Sequence, residues 1–311
     1  MGRPLWRHWF RRPATPPAYR GRARQVGFIV GTGRCGTTVL AQVLNSHSRI
    51  VVPDELQFFV GIGNGDRIYE KAEKNQLRRF RARDFIALVE RRCPHALEKF
   101  FDYRAHFAEL SYPQADPARV LQDLIDHLCD TYDSDVFLEQ TPWYGQRLDV
   151  LSELFPDSKV IHLVRDGRDV AVSYARSPWW SNEVAANLER WADEVMRIHR
   201  FVTTHPQRCI EMRYEDLVAD ARKGVGGILD FLGLPFEDRV LDPREMIDYD
   251  VYNKLEEQPV ESRSLRQWNR SQGEVFFTGS SQSWRRDPHP AFGNLSEKVR
   301  TTLVHFGYET L

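Results

Sequence analysis

Gln25-Val26-Gly27-Phe28-Ile29-Val30-Gly31-Thr32-Gly33-Arg34-Cys35-Gly36-Thr37-Thr38 decides the fold of this 311-residue chain. A short apolar run enters a glycine-rich turn, and Val39-Leu40-Ala41-Gln42-Val43-Leu44 follows with the apolar spacing of a helix packed on a sheet. The order is strand, loop, helix. Similar runs recur at Asp135-Val136-Phe137-Leu138, at Lys159-Val160-Ile161-His162-Leu163-Val164 and at Arg208-Cys209-Ile210-Glu211-Met212. Each is followed by turn residues and a helical pattern, which predicts βα units on a parallel sheet.

Three helices are well marked. Asp116 caps and Pro117 opens one with Val120, Leu121, Leu124, Ile125 and Leu128 on one face. Leu188, Trp191, Val195, Ile198 and Val202 form a second stripe, and Val225, Ile228, Leu229 and Leu232 a third that Gly233 and Pro235 stop. Residues 56–134 read as a helical insertion over the sheet edge. Residues 253–290 are polar and poorly periodic, which predicts a mobile flap. The first 24 residues hold seven arginines, four prolines and no acid, so 1–24 reads as a flexible basic tail ahead of one domain over 25–311.

Composition narrows the function. With 43 Lys+Arg against 44 Asp+Glu the net charge is -1, so binding of nucleic acid through overall charge is not expected. No run approaches the roughly 18 apolar residues of a transmembrane helix. Cys35, Cys93, Cys129 and Cys209 stand far apart without a CxxC pair, and the ten histidines show no ligand spacing, so no metal site is expected. A reducing compartment, the cytoplasm, is the natural reading of such cysteines.

A glycine-rich turn at a helix N-terminus aims backbone N–H groups and the positive end of the helix dipole at one point, and so favours a phosphate. Gly31-Thr-Gly33-Arg-Cys-Gly36 satisfies GxGxxG, with Asp54 and Glu55 near the offset of a ribose-binding acid; this is the reading of a Rossmann-type NAD(P) oxidoreductase. The same stretch fits the Walker A frame, except that Thr37 stands where the phosphate-binding lysine would be. Arg34 inside the turn points to a higher anionic load than a dinucleotide loop carries. Lys159-Val-Ile-His-Leu-Val-Arg165-Asp-Gly-Arg168-Asp-Val-Ala-Val-Ser173-Tyr174 then puts Arg165 at a strand end and Ser173 two helical turns on, both aimed at one anion.

GTGRCGTT, LVRDGRDVAVSY and Arg213-Tyr214-Glu215-Asp216-Leu217 together resemble the three nucleotide-binding signatures of sulfotransferases that use 3'-phosphoadenosine 5'-phosphosulfate (PAPS), in order and separation over residues 25–235. The resemblance implies an α/β fold with a P-loop-like parallel sheet of four to five strands flanked by helices. It implies PAPS as cofactor, with Gly33, Arg34, Cys35, Gly36, Thr37 and Thr38 around the 5'-phosphosulfate. Arg165 and Ser173 would bind the 3'-phosphate and Tyr214 would lie beside adenine. Ser283-Trp284-Arg285-Arg286 is similar to the basic segment that closes over the cofactor, which would bring Trp284 and Arg285 to it.

Two positions depart from the family pattern. Cys35 replaces the usual serine of the loop; its thiol either has a lowered pKa at the helix N-terminus or packs as a small hydrophobe. Gln140, in Glu139-Gln140-Thr141-Pro142, replaces a lysine that stabilises the leaving phosphate, and no histidine base follows. That substitution makes a non-catalytic nucleotide-binding module the third reading.

Sulfuryl transfer needs cations at the bridge, for which Arg34, the loop N–H groups and Arg285 are the candidates, and a base for the acceptor hydroxyl. Relatives without the histidine use a glutamate after the second strand. Glu55 matches it, and Asp54 is the fallback. The expected activity is metal-free transfer from PAPS to a small-molecule, carbohydrate or peptide acceptor. Trp179 and Trp180 either line the acceptor cleft or pack.

Overall fold

The computed structural model describes residues 25–53, 55–56, 95–98, 100–109, 117–177, 180–242 and 281–309. Five parallel strands form the sheet: β1 (Gln25–Val30), β2 (Ile50–Val51), β3 (Val136–Gln140), β4 (Lys159–Val164) and β5 (Cys209–Arg213). Their spatial order is β2-β3-β1-β4-β5. Phe28 of β1 pairs with Glu139 of β3 on one side and Val160 of β4 on the other.

Both faces of the sheet are covered, so the strands read as continuous apolar runs. Side chains alternate between the faces. Phe28, Val30 and Phe137 join Leu121, Leu124, Ile125 and Leu128 of the Pro117–Thr131 helix on one face. Ile29, Leu138, Ile161 and Leu163 meet Leu40, Val43 and Leu44 of the Thr37–Asn45 helix on the other, together with Val225, Ile228 and Leu229 of the Ala221–Leu232 helix. Gly233 ends that last helix at φ 72°, the left-handed conformation that glycine adopts without strain.

The longest described element of the 56–134 segment is a helix. The Pro117–Thr131 helix packs on one face of the sheet toward its β2–β3 edge, its apolar stripe turned to the strands. Residues 57–94, 99 and 110–116 lie outside the described residues, as do the basic tail and Asp54.

The Val184–Thr204 helix buries Leu188, Trp191, Val195, Ile198 and Val202, the stripe its spacing predicts. Trp191 is fully buried, and its Nε1 donates to the Arg165 carbonyl at 3.2 Å. The ring approaches Gly167 so closely that an added Cβ there would lie 2.4 Å from it. This contact sets the turn that follows β4. Gly167→Ala is therefore expected to cost about 1–3 kcal/mol of stability through overpacking, read as a lower urea midpoint. An unchanged midpoint would mean that the ring yields freely.

Histidines serve packing and hydrogen bonding here. Glu211 of β5 is bonded by His162 Nδ1 at 2.9 Å and by His199 Nδ1 at 3.0 Å, and His199 Nε2 lies 3.0 Å from His305 Nε2 of the Glu297–His305 helix. Burial holds His162 below its ordinary pKa. No described helix is long and apolar enough to cross a membrane.

Candidate active site

The C-terminal ends of parallel strands, where chain direction turns into helix N-termini, form the customary ligand edge of an open α/β sheet. Four of the residues singled out above leave the strands at this edge: Arg34 beyond β1, Glu55 beyond β2, Gln140 at the end of β3 and Arg165 just past β4. The loop after β1 turns through three positive φ angles, at Gly33 (75°), Arg34 (55°) and Gly36 (97°). Gly36 is required twice over. Its φ is left-handed, and a Cβ there would lie 2.5 Å from the Tyr214 ring. The Thr37–Asn45 helix that follows has no side-chain cap and no acid in its first turn, a combination that suits an anion at its N-terminus.

Cys35 is buried under this loop. A Cβ at Gly31 would lie 2.4 Å from its Sγ, and burial pushes the thiol pKa up rather than down. Of the two readings of Cys35, the packed small side chain is the one observed; the desolvation of a buried thiolate outweighs the amides and Arg165 that would favour it. Cys35, Cys129 and Cys209 are buried free thiols, and Cys93 lies outside the described residues.

Arg34 and Arg165 meet across the loop. Arg34 Nε donates to Ser173 Oγ at 2.9 Å, and Arg165 Nη1 donates to the Arg34 carbonyl at 3.0 Å. Asp169 stands 3.6 Å from Arg165 Nη2, one helical turn on. The Arg165 guanidinium also lies over the Tyr214 ring, 4.9 Å from its centroid. Tyr214 is buried as the floor of the loop. Two guanidinium groups and the Ser173 hydroxyl thus share one mouth, 131 to 139 residues apart in sequence.

On the other side of the loop, Gln140 Nε2 donates to Thr37 Oγ1 at 3.1 Å and to Glu55 Oε1 at 3.4 Å. Glu55 is half-buried and faces the loop; Thr37 is buried and Thr38 half-buried. Because Gln140 already spans Thr37 and Glu55, a lysine there would bring its cation to the same place. Gln140→Lys is expected to keep transfer and raise the single-turnover rate, since a cation stabilises charge developing on a leaving phosphate. A collapse in rate with unchanged cofactor affinity would contradict this and show Glu55 captured by the new ammonium.

Trp284 and Arg285 lie in a segment tied to the helix after β4. Ser283 Oγ and the Trp284 amide donate to Asp169 Oδ1 at 2.7 and 2.9 Å, so residues 281–290 are pinned rather than forming the end of a mobile flap; 243–280 lie outside the described residues. The Trp284 ring is buried, 3.5 Å from the guanidinium carbon of Arg168, and packs in the core with Phe292. Arg285 pairs with Glu309 at 2.7 Å. Arg168, itself buried, holds Asp166 through Nε and Nη2 and the Glu309 carbonyl through Nη1, which fixes the turn carrying Arg165.

Aromatic residues without an assigned role also meet the loop. A Cβ at Gly33 would lie 2.8 Å from Tyr174 Oη and 3.5 Å from the Trp143 ring. Trp180 stacks on Trp143 at 4.8 Å and meets Tyr174 at a tilt at 4.7 Å, with Arg190 over both indoles. Trp180 is therefore packed against the loop's flank; Trp179 is outside the described residues. Only the unusual density of aromatics at 143, 174 and 180 signalled this cluster in the sequence. Among the described residues no group of three His, Cys, Asp or Glu could hold a metal ion.

The strand order separates the two nucleotide readings. In the dinucleotide fold β1 lies beside β2, in the order 3-2-1-4-5-6, which brings the acid after β2 to the ribose. Here β3 intervenes, and Glu55 faces Gln140 and Thr37 instead. The model of the sulfotransferase family matches residues 28–238. The chain belongs to the sulfotransferase family. Among its curated relatives, protein-tyrosine sulfotransferase 2 of Gallus gallus is 26% identical over 227 residues, 71% of this chain and 54% of that protein. The first such relatives are matched over 30% to 56% of their own length, so this sulfotransferase chain spans at most about half of them. Among solved structures, the sulfotransferase domain from the curacin biosynthetic pathway superposes with a TM-score of 0.65 at 21% identity, covering 94% of this chain and 100% of the domain. The sulfotransferase domain from the Synechococcus PCC 7002 olefin synthase gives 0.65 at 24% identity, covering 96% and 99%. Both likenesses concern the fold.

Proposed function

We propose that this chain takes PAPS as donor and delivers its sulfuryl group to a hydroxyl of an acceptor, with the phenol of a peptide tyrosine as the acceptor class. The observation that carries the proposal is the convergence of Arg34, Arg165 and Ser173 on one side of the uncapped loop with Glu55 on the other. Two cations, hydroxyls and left-handed glycines without an acid in the first helical turn suit a ligand with several phosphate-like groups.

When bound, PAPS supplies a sulfuryl group bonded through a phosphate, and transfer is in line and loose, with charge building on the phosphate left behind. Arg34, Thr37, Thr38 and the loop amides would hold the 5'-phosphosulfate, each preorganised donor contributing about 3 kcal/mol to the developing charge. Arg165 and Ser173 would hold the 3'-phosphate, with Tyr214 under the Arg165 guanidinium. Glu55 would take the acceptor's proton onto its carboxylate as the oxygen attacks. Gln140 orients Glu55 and Thr37 relative to each other through one amide. The peptide acceptor rests on the relatives' names as protein-tyrosine sulfotransferases. The proposed compartment is the cytoplasm, where the buried thiols would stay reduced.

The test is transfer of labelled sulfate from PAPS to a tyrosyl peptide and to its phenylalanyl twin. Label on the first alone supports the proposal. Label passing only to carbohydrates or simple alcohols would overturn the acceptor class while leaving the donor in place.

A further inference from the structure

We propose that Glu139 is a positioning residue for the base: by holding the Leu56 amide it fixes the short segment after β2 and so sets where Glu55 stands. The inference rests on Glu55 acting as the base. Glu139 ends the buried run of β3, one residue before Gln140, and its side chain goes to the opposite face of the sheet from Gln140. The two neighbours therefore grip the same segment from two directions. Glu139 Oε1 accepts from the Leu56 amide at 3.0 Å and from Thr141 Oγ1 at 2.7 Å, while Gln140 Nε2 reaches Glu55 Oε1 at 3.4 Å. Residues 55–56 lie outside helix and strand, and these side-chain bonds tie the segment to the end of β3.

The surroundings of the Glu139 carboxyl disfavour its charged form. Oε2 is buried without a hydrogen-bond partner, and Glu139 is among the residues lining a cavity of about 20 Å³. Phe28 faces it from β1, Leu121, Leu124 and Ile125 from the Pro117–Thr131 helix, Tyr144 from the turn after β3, and Phe155 from beyond the Leu148–Leu154 helix. None of these is charged. The Glu55 charge opposes ionisation of Glu139. Burial, which outweighs the Thr141 and Leu56 bonds and a weaker influence of the Tyr144 side chain, pushes the Glu139 pKa up to about 8. A neutral Glu139 can hold the Leu56 amide beside Glu55 without placing two like charges together.

The sign of the stability effect follows. An acid raised from the ordinary 4.5 to about 8 contributes stability that is fully present below pH 4.5 and is lost as pH rises through about 8. Glu139→Gln keeps the acceptor oxygen and removes the titration.

Turnover with PAPS, affinity for adenosine 3',5'-bisphosphate and melting temperature should be measured for wild type, Glu139→Gln, Glu139→Leu and Glu139→Asp, and for the first three with Glu55→Gln added. Glu139→Leu removes the acceptor, and turnover is expected to fall at least about tenfold with nucleotide affinity unchanged. Glu139→Gln should restore it at pH 7. In the Glu55→Gln background, Glu139→Leu should cost nothing further, because the residue acts through the base. Should Glu139→Leu not fold, Glu139→Asp, whose carboxyl is one methylene short of the Leu56 amide, carries the same expectation. Between pH 5 and 8 the melting temperature of wild type should fall relative to Glu139→Gln. Full turnover in both Leu and Asp variants, or an equal loss in the Glu55→Gln background, would overturn the proposal. Parallel melting curves would overturn the neutral acid. Normal turnover of Glu55→Gln alone would instead sink the base and leave the Glu139 melting result intact.

Discussion

Glu55→Gln is expected to lower turnover by roughly 10²- to 10⁴-fold, the usual contribution of a positioned general base, while affinity for adenosine 3',5'-bisphosphate stays as in wild type. The substitution keeps the shape of the side chain and its contact with Gln140 but removes the oxygen that accepts a proton. The separation of the two readouts is the substance of the prediction. Glu55 meets the loop through Gln140 and Thr37, on the side away from Arg165, so it has no reason to contribute to nucleotide binding. Asp54→Asn should cost far less. Near-normal turnover of Glu55→Gln would place the base elsewhere, with Asp54 the next candidate. A loss of nucleotide affinity in proportion to turnover would mean that Glu55 binds the ligand.

Arg165→Ala is expected to weaken PAPS and adenosine 3',5'-bisphosphate by about 2–4 kcal/mol, roughly 30- to 800-fold in Kd, the cost of removing one partner of a largely buried charge-assisted contact. Adenosine 5'-phosphosulfate, which lacks the 3'-phosphate, should lose at most a few-fold. That small residual loss is anticipated because Arg165 also ties down the Arg34 carbonyl. Calorimetry on the three ligands checks both statements. Equal losses for all three would show that Arg165 acts only as a brace for the loop, and the 3'-phosphate assignment would fall.

The strand-loop-helix at residues 25–45 was legible because apolar runs, left-handed glycines and helical spacing all point the same way there. The helices carrying Trp191 and Ile228 were legible from their stripes, and the Arg165–Ser173 spacing from helical periodicity alone. β2 was harder, since Ile50–Val51 is two residues long and shows no period. Glu139 was hidden for a different reason. At the end of Val-Phe-Leu-Glu-Gln it reads as the polar close of a strand, and only the Leu56 amide, 83 residues away, reveals a buried carboxyl. The contacts of Trp284 with Arg168 and of Arg285 with Glu309 were not legible either, because a basic turn carries no sign of its distant partners. The contact that ties the turn down, Ser283 to Asp169, spans 114 residues. Short-range pattern gives elements and spacing; pairings between distant loops depend on how those elements pack.

The donor, rather than the acceptor, is the centre of the account, and it can be tested without knowing the acceptor. The direct measurement is calorimetric titration of the full chain with adenosine 3',5'-bisphosphate, with NAD as the comparison ligand. Saturable binding of the bisphosphate, lost in Arg165→Ala, together with no heat from NAD, is the predicted result. Binding of NAD in preference to the bisphosphate would contradict the account.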